Sequence, residues 1–574
     1  MRWVTTMAAT LVLASCFSAL AQGISRFDIV ITEIFADPTP SRGLPSFEFV
    51  EIMNVSPLPH NLKDYKIGNS GSSGTITSDM VLQPGSIAIL CSNSGSAALA
   101  AFGTVMSVSN FPSFDNNTDM IVLRSNDGSV IHAVSYNQTW YKSDLKSDGG
   151  WSLEMIDTGN PCEGANNWSA SMNPSGGTPG KINSVTGTNA DQTAPLLLRT
   201  FTPDSNTIVA VFSEPLDSLR ASNTVNYRLG KDVGHPLQAT PVSPLFSEVK
   251  LTFAKPMIHE ITYELTVSDI MDCNGNTVEA NRIVKAGLPS EPDTVDIVVN
   301  ELLFNPKGGG FDFIELYNKS SKVLDLQHLL CSNRTVTGGF SNITPLTNIP
   351  YLLFPGEFIV FTEDKSWLTQ NYVPKDYSTI HETSSLPSLP DDRGTLVITS
   401  EHGQVIDEIH YDSKWHFALL ENQEGISLER INYNSPTQDK DNWTSAASTA
   451  GFGTPGYQNS QFKSDATMLQ AIFSVNPKMF SPDNDGFDDI ATINYQVATT
   501  GFVANITIFD ANGRPVKYLV KNATLALQGN FRWDGLDDKF QRLPAGIYIV
   551  FTEIFNMQGK TRKFKNAIAL AKKF

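Results

Sequence analysis

The chain has 574 residues, which at about 150 residues per domain suggests roughly four domains. Lys and Arg number 41 against 59 Asp and Glu, a net charge of −18, so non-specific binding to a nucleic-acid polyphosphate is not expected. Charged residues make up only 17% while Gly numbers 40, Pro 32 and aromatics reach 10%; this excludes a coiled coil and a wholly disordered chain.

At the N-terminus, Arg2 gives a short basic start and Met7 to Leu13 an apolar run. Ala19-Leu20-Ala21 then supplies the small residues that a signal peptidase reads. Residues 1–21 are therefore expected to be a signal peptide and the protein to be exported. No segment approaches the roughly 20 apolar residues of a membrane-spanning helix. Leu13-Ala14-Ser15-Cys16 is a competing signal: it resembles a bacterial lipobox, which would make Cys16 a lipid anchor.

Beyond the signal the sequence repeats itself. Asp28-Ile-Val-Ile-Thr-Glu33 returns as Asp296-Ile-Val-Val-Asn-Glu301, and Phe47-Glu-Phe-Val-Glu51-Ile-Met-Asn54 as Phe311-Asp-Phe-Ile-Glu315-Leu-Tyr-Asn318. Trp151-Ser-Leu-Glu154 matches Ile426-Ser-Leu-Glu429, Asn167-Trp168 matches Asn442-Trp443, and Gly177-Thr-Pro-Gly180 matches Gly453-Thr-Pro-Gly456. Each copy reads as short antiparallel strands, Asp28–Ile34, Phe47–Asn54, Ser86–Ser92, Met120–Arg124 and Val130–Tyr136 in the first, divided by turn clusters such as Asp127-Gly128. Alternation places Phe47, Phe49 and Ile52 inward, with a bulge near Val50. Regularly spaced short strands imply two-sheet sandwiches.

These residues resemble the bacterial lamin-tail domain. The resemblance covers 25–185 and 294–460 and implies an immunoglobulin-like sandwich used as an accessory or adhesive module in secreted proteins of Bacteroidetes-type bacteria. The second copy lacks the Gly149-Gly150-Trp151 triplet and one cysteine, which argues against a ligand site shared by both copies. Residues 190–290, with Thr207 to Leu216, Val249 to Phe253 and Tyr263 to Val267 in period two, resemble immunoglobulin-like domains of bacterial surface-layer and adhesion proteins. Residues 465–574, with Ile506-Thr-Ile-Phe-Asp510, a turn at Asn512-Gly513, Phe531-Arg-Trp-Asp-Gly535 and Leu543-Pro-Ala-Gly-Ile-Tyr548, resemble the immunoglobulin-like C-terminal domain of hook-capping proteins and of type IX secretion cargo. The expected fold class is therefore all-β, a multidomain string of immunoglobulin-like β-sandwiches.

No tight metal spacing of histidines, nucleophile elbow, phosphate-binding loop or dinucleotide fingerprint occurs. His402, His410 and His416 read as surface strand positions. The repeated Glu33/Glu301, Glu51/Glu315 and Glu154/Glu429 admit a carboxylate-pair hydrolase, against which stands a role capping edge backbone or pairing with Lys and Arg. Trp151, Trp168 and Trp443 are core residues or sugar-stacking platforms. Asp483, Asp485, Asp488 and Asp489, around Gly486, are candidate calcium ligands, or simply an acidic turn. Export permits disulfides, and Cys91 with Cys162 is the candidate bridge, against buried free thiols. Beyond Glu553 every charge is basic, which suits either an open strand edge guarded by Lys or recognition by secretion machinery.

The function expected is that of a secreted or cell-surface, non-catalytic structural, adhesive or scaffolding protein. Its partner is an unidentified surface polymer or protein, not nucleic acid, with calcium the only cofactor in prospect. The alternative is an accessory or degenerate form of a secreted nuclease or phosphohydrolase.

Overall fold

The computed structural model describes residues 23–280, 282–464 and 471–572. The signal-peptide reading of residues 1–21 and the lipid-anchor reading of Cys16 fall outside them. The chain is all-β, a multidomain series of immunoglobulin-like sandwiches, and among the described residues the longest α-helix is the seven-residue Lys365–Asn371. It divides into two compact units. One contains residues up to Arg199 with Asn206–Lys255 and Glu264–Val284, and the other contains Thr200–Ser205, Pro256–Tyr263 and Lys285–Phe574.

In the first unit, the first repeat forms a ten-stranded sheet. In order across the sheet its strands are Val130–Asn137, Thr118–Arg124, Lys66–Gly68, Ser73–Ile76, Val105–Ser109, Ile87–Ser92, Phe49–Asn54, Ile29–Phe35, Leu153–Met155 and Trp168–Ala170. The sheet wraps around one core, so that Ile29, Ile31, Val50 and Ile52 meet Ile121, Leu123, Ile131 and Val134. A second cluster of Phe35, Leu44, Phe49, Ile89 and Cys91, with Leu99 of the short helix Ser96–Leu99, covers the opposite face. Ile29–Phe35 is consequently buried along its whole length, as a strand covered on both faces must be.

That double covering overturns the expected alternation. Phe49 and Ile52 are both buried but belong to different clusters. The bulge lies not at Val50 but on the neighbouring strand, where the register with Phe49–Asn54 shifts between Ile31 and Glu33. Thr32 is the additional residue, and Glu33 comes to lie directly opposite Glu51 on one side and Glu154 on the other.

The second repeat, in the second unit, reproduces this register. Its six-stranded sheet runs Ile380–Glu382, Phe358–Thr362, Phe313–Asn318, Ile297–Leu303, Leu428–Arg430 and Trp443–Ser445, and a four-stranded sheet runs Phe340–Pro345, Leu329–Arg334, Arg393–Ser400 and Val405–Asp412. The shift recurs between Val299 and Glu301, and Glu301 faces Glu315 and Glu429.

Between the repeats, Thr207–Phe212, Glu248–Thr252 and Gln238–Pro241 pair antiparallel, and Tyr227–Leu229 pairs with Tyr263–Val267. The C-terminal segment packs a three-stranded sheet (Ile472–Asn476, Ala491–Gln496, Gln528–Trp533) on a five-stranded one around Trp533, Ile506, Val550 and Ile568. Its basic strand, Thr561–Leu570, pairs along its length with Gly546–Asn556. On its other side, among the described residues, Met479–Phe480 pairs with Ala569 and Leu570. The rest of that edge carries Arg562, Lys563 and Lys565, and Lys563 sits 3.0 Å from Glu553.

Candidate functional site

The two repeats each bring three glutamates together. Cross-strand pairing sets Glu33 beside Glu51 and Glu154, and all three are 0% exposed. Glu33 Oε1 accepts from Ser152 Oγ (2.5 Å) and from the Thr178 amide (2.8 Å). Glu51 accepts from Thr32 Oγ1 (2.8 Å) and the Gly180 amide (2.7 Å). Glu154 accepts from Thr178 Oγ1 (2.8 Å), Ser184 Oγ (2.7 Å) and the Val185 amide (3.2 Å). The turn Gly177-Thr-Pro-Gly180 is thus fastened to the sheet through carboxylates. Gly177 is required there, because a Cβ would lie 2.5 Å from Glu33 Oε1.

The second repeat repeats this arrangement. Glu301 accepts from Ser427 Oγ, the Thr454 amide (2.9 Å) and Thr454 Oγ1 (2.9 Å). Glu315 accepts from Asn300 Nδ2 and the Gly456 amide, both at 2.6 Å. Glu429 lies 2.9 Å from Thr454 Oγ1 and accepts from Ser460 Oγ (2.8 Å) and the Gln461 amide (2.9 Å). Every donor in both clusters is neutral. Burial is the first cause of a marked upward shift: Glu51 and Glu301 are pushed up to about 8, and Glu33, Glu315 and Glu429 move in the same direction. Neighbouring carboxylates add to the shift, Glu51 and Glu154 at Glu33, Glu429 at Glu301 and Glu301 at Glu315.

The expectation that these glutamates cap edge backbone or pair with Lys and Arg is therefore corrected. They lie between central strands, and amides and hydroxyls hold them. A carboxylate-pair hydrolase needs its two carboxyls open to substrate and water, which full burial denies. The sequence signal was the repeat itself; the closing turn could be connected to the glutamates only in three dimensions.

The other singled-out residues divide in the same way. Trp168 and Trp443 are core residues at 1% and 3% exposure. Trp151 is half-buried between Arg42 (5.1 Å) and Lys146 (4.6 Å). His402 and His410 are exposed, but His416 is buried against Ser445 (2.8 Å), and burial lowers it to about 4. The expected Cys91–Cys162 bridge is also corrected. Cys162 is bonded to Cys273, and Cys91 is a buried free thiol. Cys91 belongs to the apolar cluster of Phe35 and Phe49, whereas Cys162 lies in a loop beside Asn274. A bridge between segments 111 residues apart has no local sequence signature.

Two carboxylate groups have the hard oxygen donors that suit a divalent cation. Among the four candidate calcium residues, Asp483, Asp485 and Asp489 bring an oxygen each to within 4.8 Å of one another, and Asp488 is not part of that group. The loop's own amides already bond these carboxylates: Asn484 and Gly486 donate to Asp489, Asp485 to Asp483 and Phe487 to Asp485. The second group, Asp191, Glu214 and Asp272, is assembled from three distant stretches and so escaped sequence reading. Burial first, then Asp191, Asp272 and Glu163, raises Glu214 to about 7.

Residues 24–138 match the model of the Lamin Tail Domain family, about a fifth of the chain. No curated protein matches. Among solved structures, the N-terminal part of the bacterial S-layer protein SbsC is 10% identical, over 38% of this chain and 44% of that one, with a TM-score of 0.17. PorZ, a surface component of the type-IX secretion system of Porphyromonas gingivalis, is 9% identical over 79% and 57%, with a TM-score of 0.15. A DUF4876 family protein from Bacteroides thetaiotaomicron is 12% identical over 43% and 90%, with a TM-score of 0.18. The chain spans less than two thirds of the length of the S-layer structures it matches. Superpositions this limited carry no argument about fold or function.

Proposed function

We propose that the chain is an exported, non-catalytic protein of structural, adhesive or scaffolding role, outside the cell or on its surface. Its modules are residues 25–185, 190–290, 294–460 and 465–574, the last addressing secretion machinery. The observation that carries this reading is the burial of all six repeated glutamates, the chain's best candidates for acid–base chemistry, beneath turns that use them as fasteners. The Cys162–Cys273 bond supports it by tying the first repeat to the segment that follows. No helix among the described residues is long and apolar enough to cross a membrane.

The test is a turnover screen of the purified chain against nucleic acid, phosphoesters and glycans, with a pulldown from the producing cell's envelope. Absence of turnover together with a specific envelope partner is expected. Turnover abolished by one point substitution would establish instead the secreted nuclease or phosphohydrolase alternative. Deleting residues 465–574 should block export; normal export would remove the sorting role.

A further inference from the structure

We propose that the Gly-Thr-Pro-Gly turn of each repeat is a proton-dependent clasp, closed over its three-glutamate cluster only while the cluster holds a proton, so that alkaline pH releases the segment leading out of the repeat.

The stereochemistry requires the proton. Thr454 Oγ1 lies 2.9 Å from Glu301 Oε2 and 2.9 Å from Glu429 Oε1. A hydroxyl has one hydrogen and can donate to only one of them. The other contact is a hydrogen bond only if that carboxyl is the donor, and for this it must be protonated. In the first repeat the corresponding sign is Glu33 Oε2, the one oxygen among its cluster's carboxylates that has no donor, in a residue that is 0% exposed. A buried carboxylate oxygen with no donor carries a heavy desolvation cost, whereas a carboxylic acid there does not. Three negative charges facing one another across adjacent strands are repulsive, and a shared proton relieves that repulsion where no cation does.

Among the described residues, the groups that contact each cluster supply no cation. In the first repeat the titratable groups acting on one another are the three glutamates, and the contacts from the turn and from Thr32, Ser152 and Ser184 are neutral. His132, on the strand packed against Ile29–Phe35, is spent on the Ile31 amide. In the second repeat the phenols of Tyr372, Tyr433 and Tyr457 face the cluster. Arg430 is committed to Asp407 and the Val299 carbonyl, and Lys375 sits over the Tyr457 ring.

A metal does not substitute for the proton. Among the described residues, the carboxylate groups whose oxygens converge within 4.8 Å are elsewhere. The turn depends on the cluster, because the Thr178 amide, Thr178 Oγ1 and the Gly180 amide all end on it. The direction follows from linkage. A carboxyl with a raised folded-state pKa binds more protons folded than unfolded, so its contribution to closure is complete at low pH and is lost as pH rises toward and through about 8.

Hydrogen–deuterium exchange of the exported chain from pH 5.5 to 9.5, corrected for intrinsic rate, tests this. Protection of residues 176–186 and 452–462 should fall by up to about tenfold per pH unit as the pH rises from 5.5 toward about 8, while the strand cores stay protected. Glu33→Gln and Glu301→Gln, which carry a permanent donor, should keep protection at pH 6 and flatten its pH dependence. Infrared spectra of the wild-type chain, which need no variant to fold, should show a protonated-carboxyl band at pH 7 that disappears by pH 9.5. Turns whose protection follows the strand cores at every pH, Gln variants that keep the wild-type profile, or no protonated-carboxyl band at pH 7 would each overturn the clasp.

Discussion

Removing the Cys162–Cys273 bond should cost the first unit a definite amount of stability. The bridge closes a loop across 111 residues, and in the chain-entropy description a loop of about 100 residues constrains the unfolded chain by roughly 4.7 kcal/mol, measured losses being about 2–5 kcal/mol. The contacts beside the bridge remain when it is gone. Arg26 donates to the Leu216 and Leu245 carbonyls between the Phe27 and Phe246 rings, and Asn274 Nδ2 bonds Asn160 Oδ1 at 2.6 Å. The folded state therefore loses little, and we expect a net loss of about 3 kcal/mol, or about 6–12 °C for a unit of this size. Cys162→Ala with Cys273→Ala removes both sulfurs without burying a new hydroxyl or leaving a stray thiol. Urea unfolding of residues 23–574, wild type against double variant, measures the loss. Thiol counting on the denatured, unreduced wild type should find two groups, Cys91 and Cys331, and four after reduction. Four reactive thiols without reductant, or an unchanged unfolding midpoint in the double variant, would refute the reasoning.

Arg430 is 0% exposed and holds buried Asp407 at 3.4 Å; Arg430→Met should cost about 3–5 kcal/mol in urea unfolding because it strands that carboxylate. His132 is lowered to about 4 by burial, so the unfolded chain protonates first and stability falls as pH drops from 6.5 to 4. The loss amounts to about 3 kcal/mol, and unfolding curves of His132→Asn should lack that acid slope. Gly177→Ala places a Cβ 2.5 Å from Glu33 Oε1 and 2.9 Å from Ser152 Oγ and should destabilise by about 1–3 kcal/mol. Gly71→Ala, whose nearest neighbour is 3.9 Å away, should cost far less.

Much of the architecture was legible because it is written in local pattern. The strands came from period-two runs and turn residues, and five of those expected in the first repeat form within a residue or two of their expected ends. The bulge was misplaced because strands covered on both faces carry no alternation to count: Ile29–Phe35 is buried throughout, Glu33 included. The glutamates were noticed as a repeat but assigned to capping edge backbone or to pairing with Lys and Arg, since a charged residue in a strand is rarely buried without such a partner. Only the closing turn, more than 140 residues away from Glu33, makes their burial tolerable. Cys162 was paired wrongly for a similar reason: Cys91 shares its repeat, whereas the true partner lies in the following segment.

The two repeats meet one shared demand with different chemistry, and the contrast separates the roles of their buried charges. The bulge leaves the amides of Ile31 and Val299 in need of an acceptor. The first repeat supplies His132 Nδ1 (2.8 Å), whose other ring nitrogen contacts the Pro161 carbonyl (3.1 Å). The second supplies Asp407 Oδ2 (2.8 Å) from the same place on its strand. A neutral imidazole needs no counter-charge, and Met155 follows Glu154; a carboxylate does need one, and Arg430 follows Glu429 in the matching position. The acceptor and its neighbour differ together between the copies. At the glutamate cluster no such pairing occurs in either copy. Thr32 gives way to Asn300, Ser460 stands where Ser184 does, and each is again a neutral donor. A site that required only fixed negative charge could have gained a cation, as Asp407 did. Two clusters that keep three carboxyls and gain none are built around a charge that a proton, not a partner residue, neutralises.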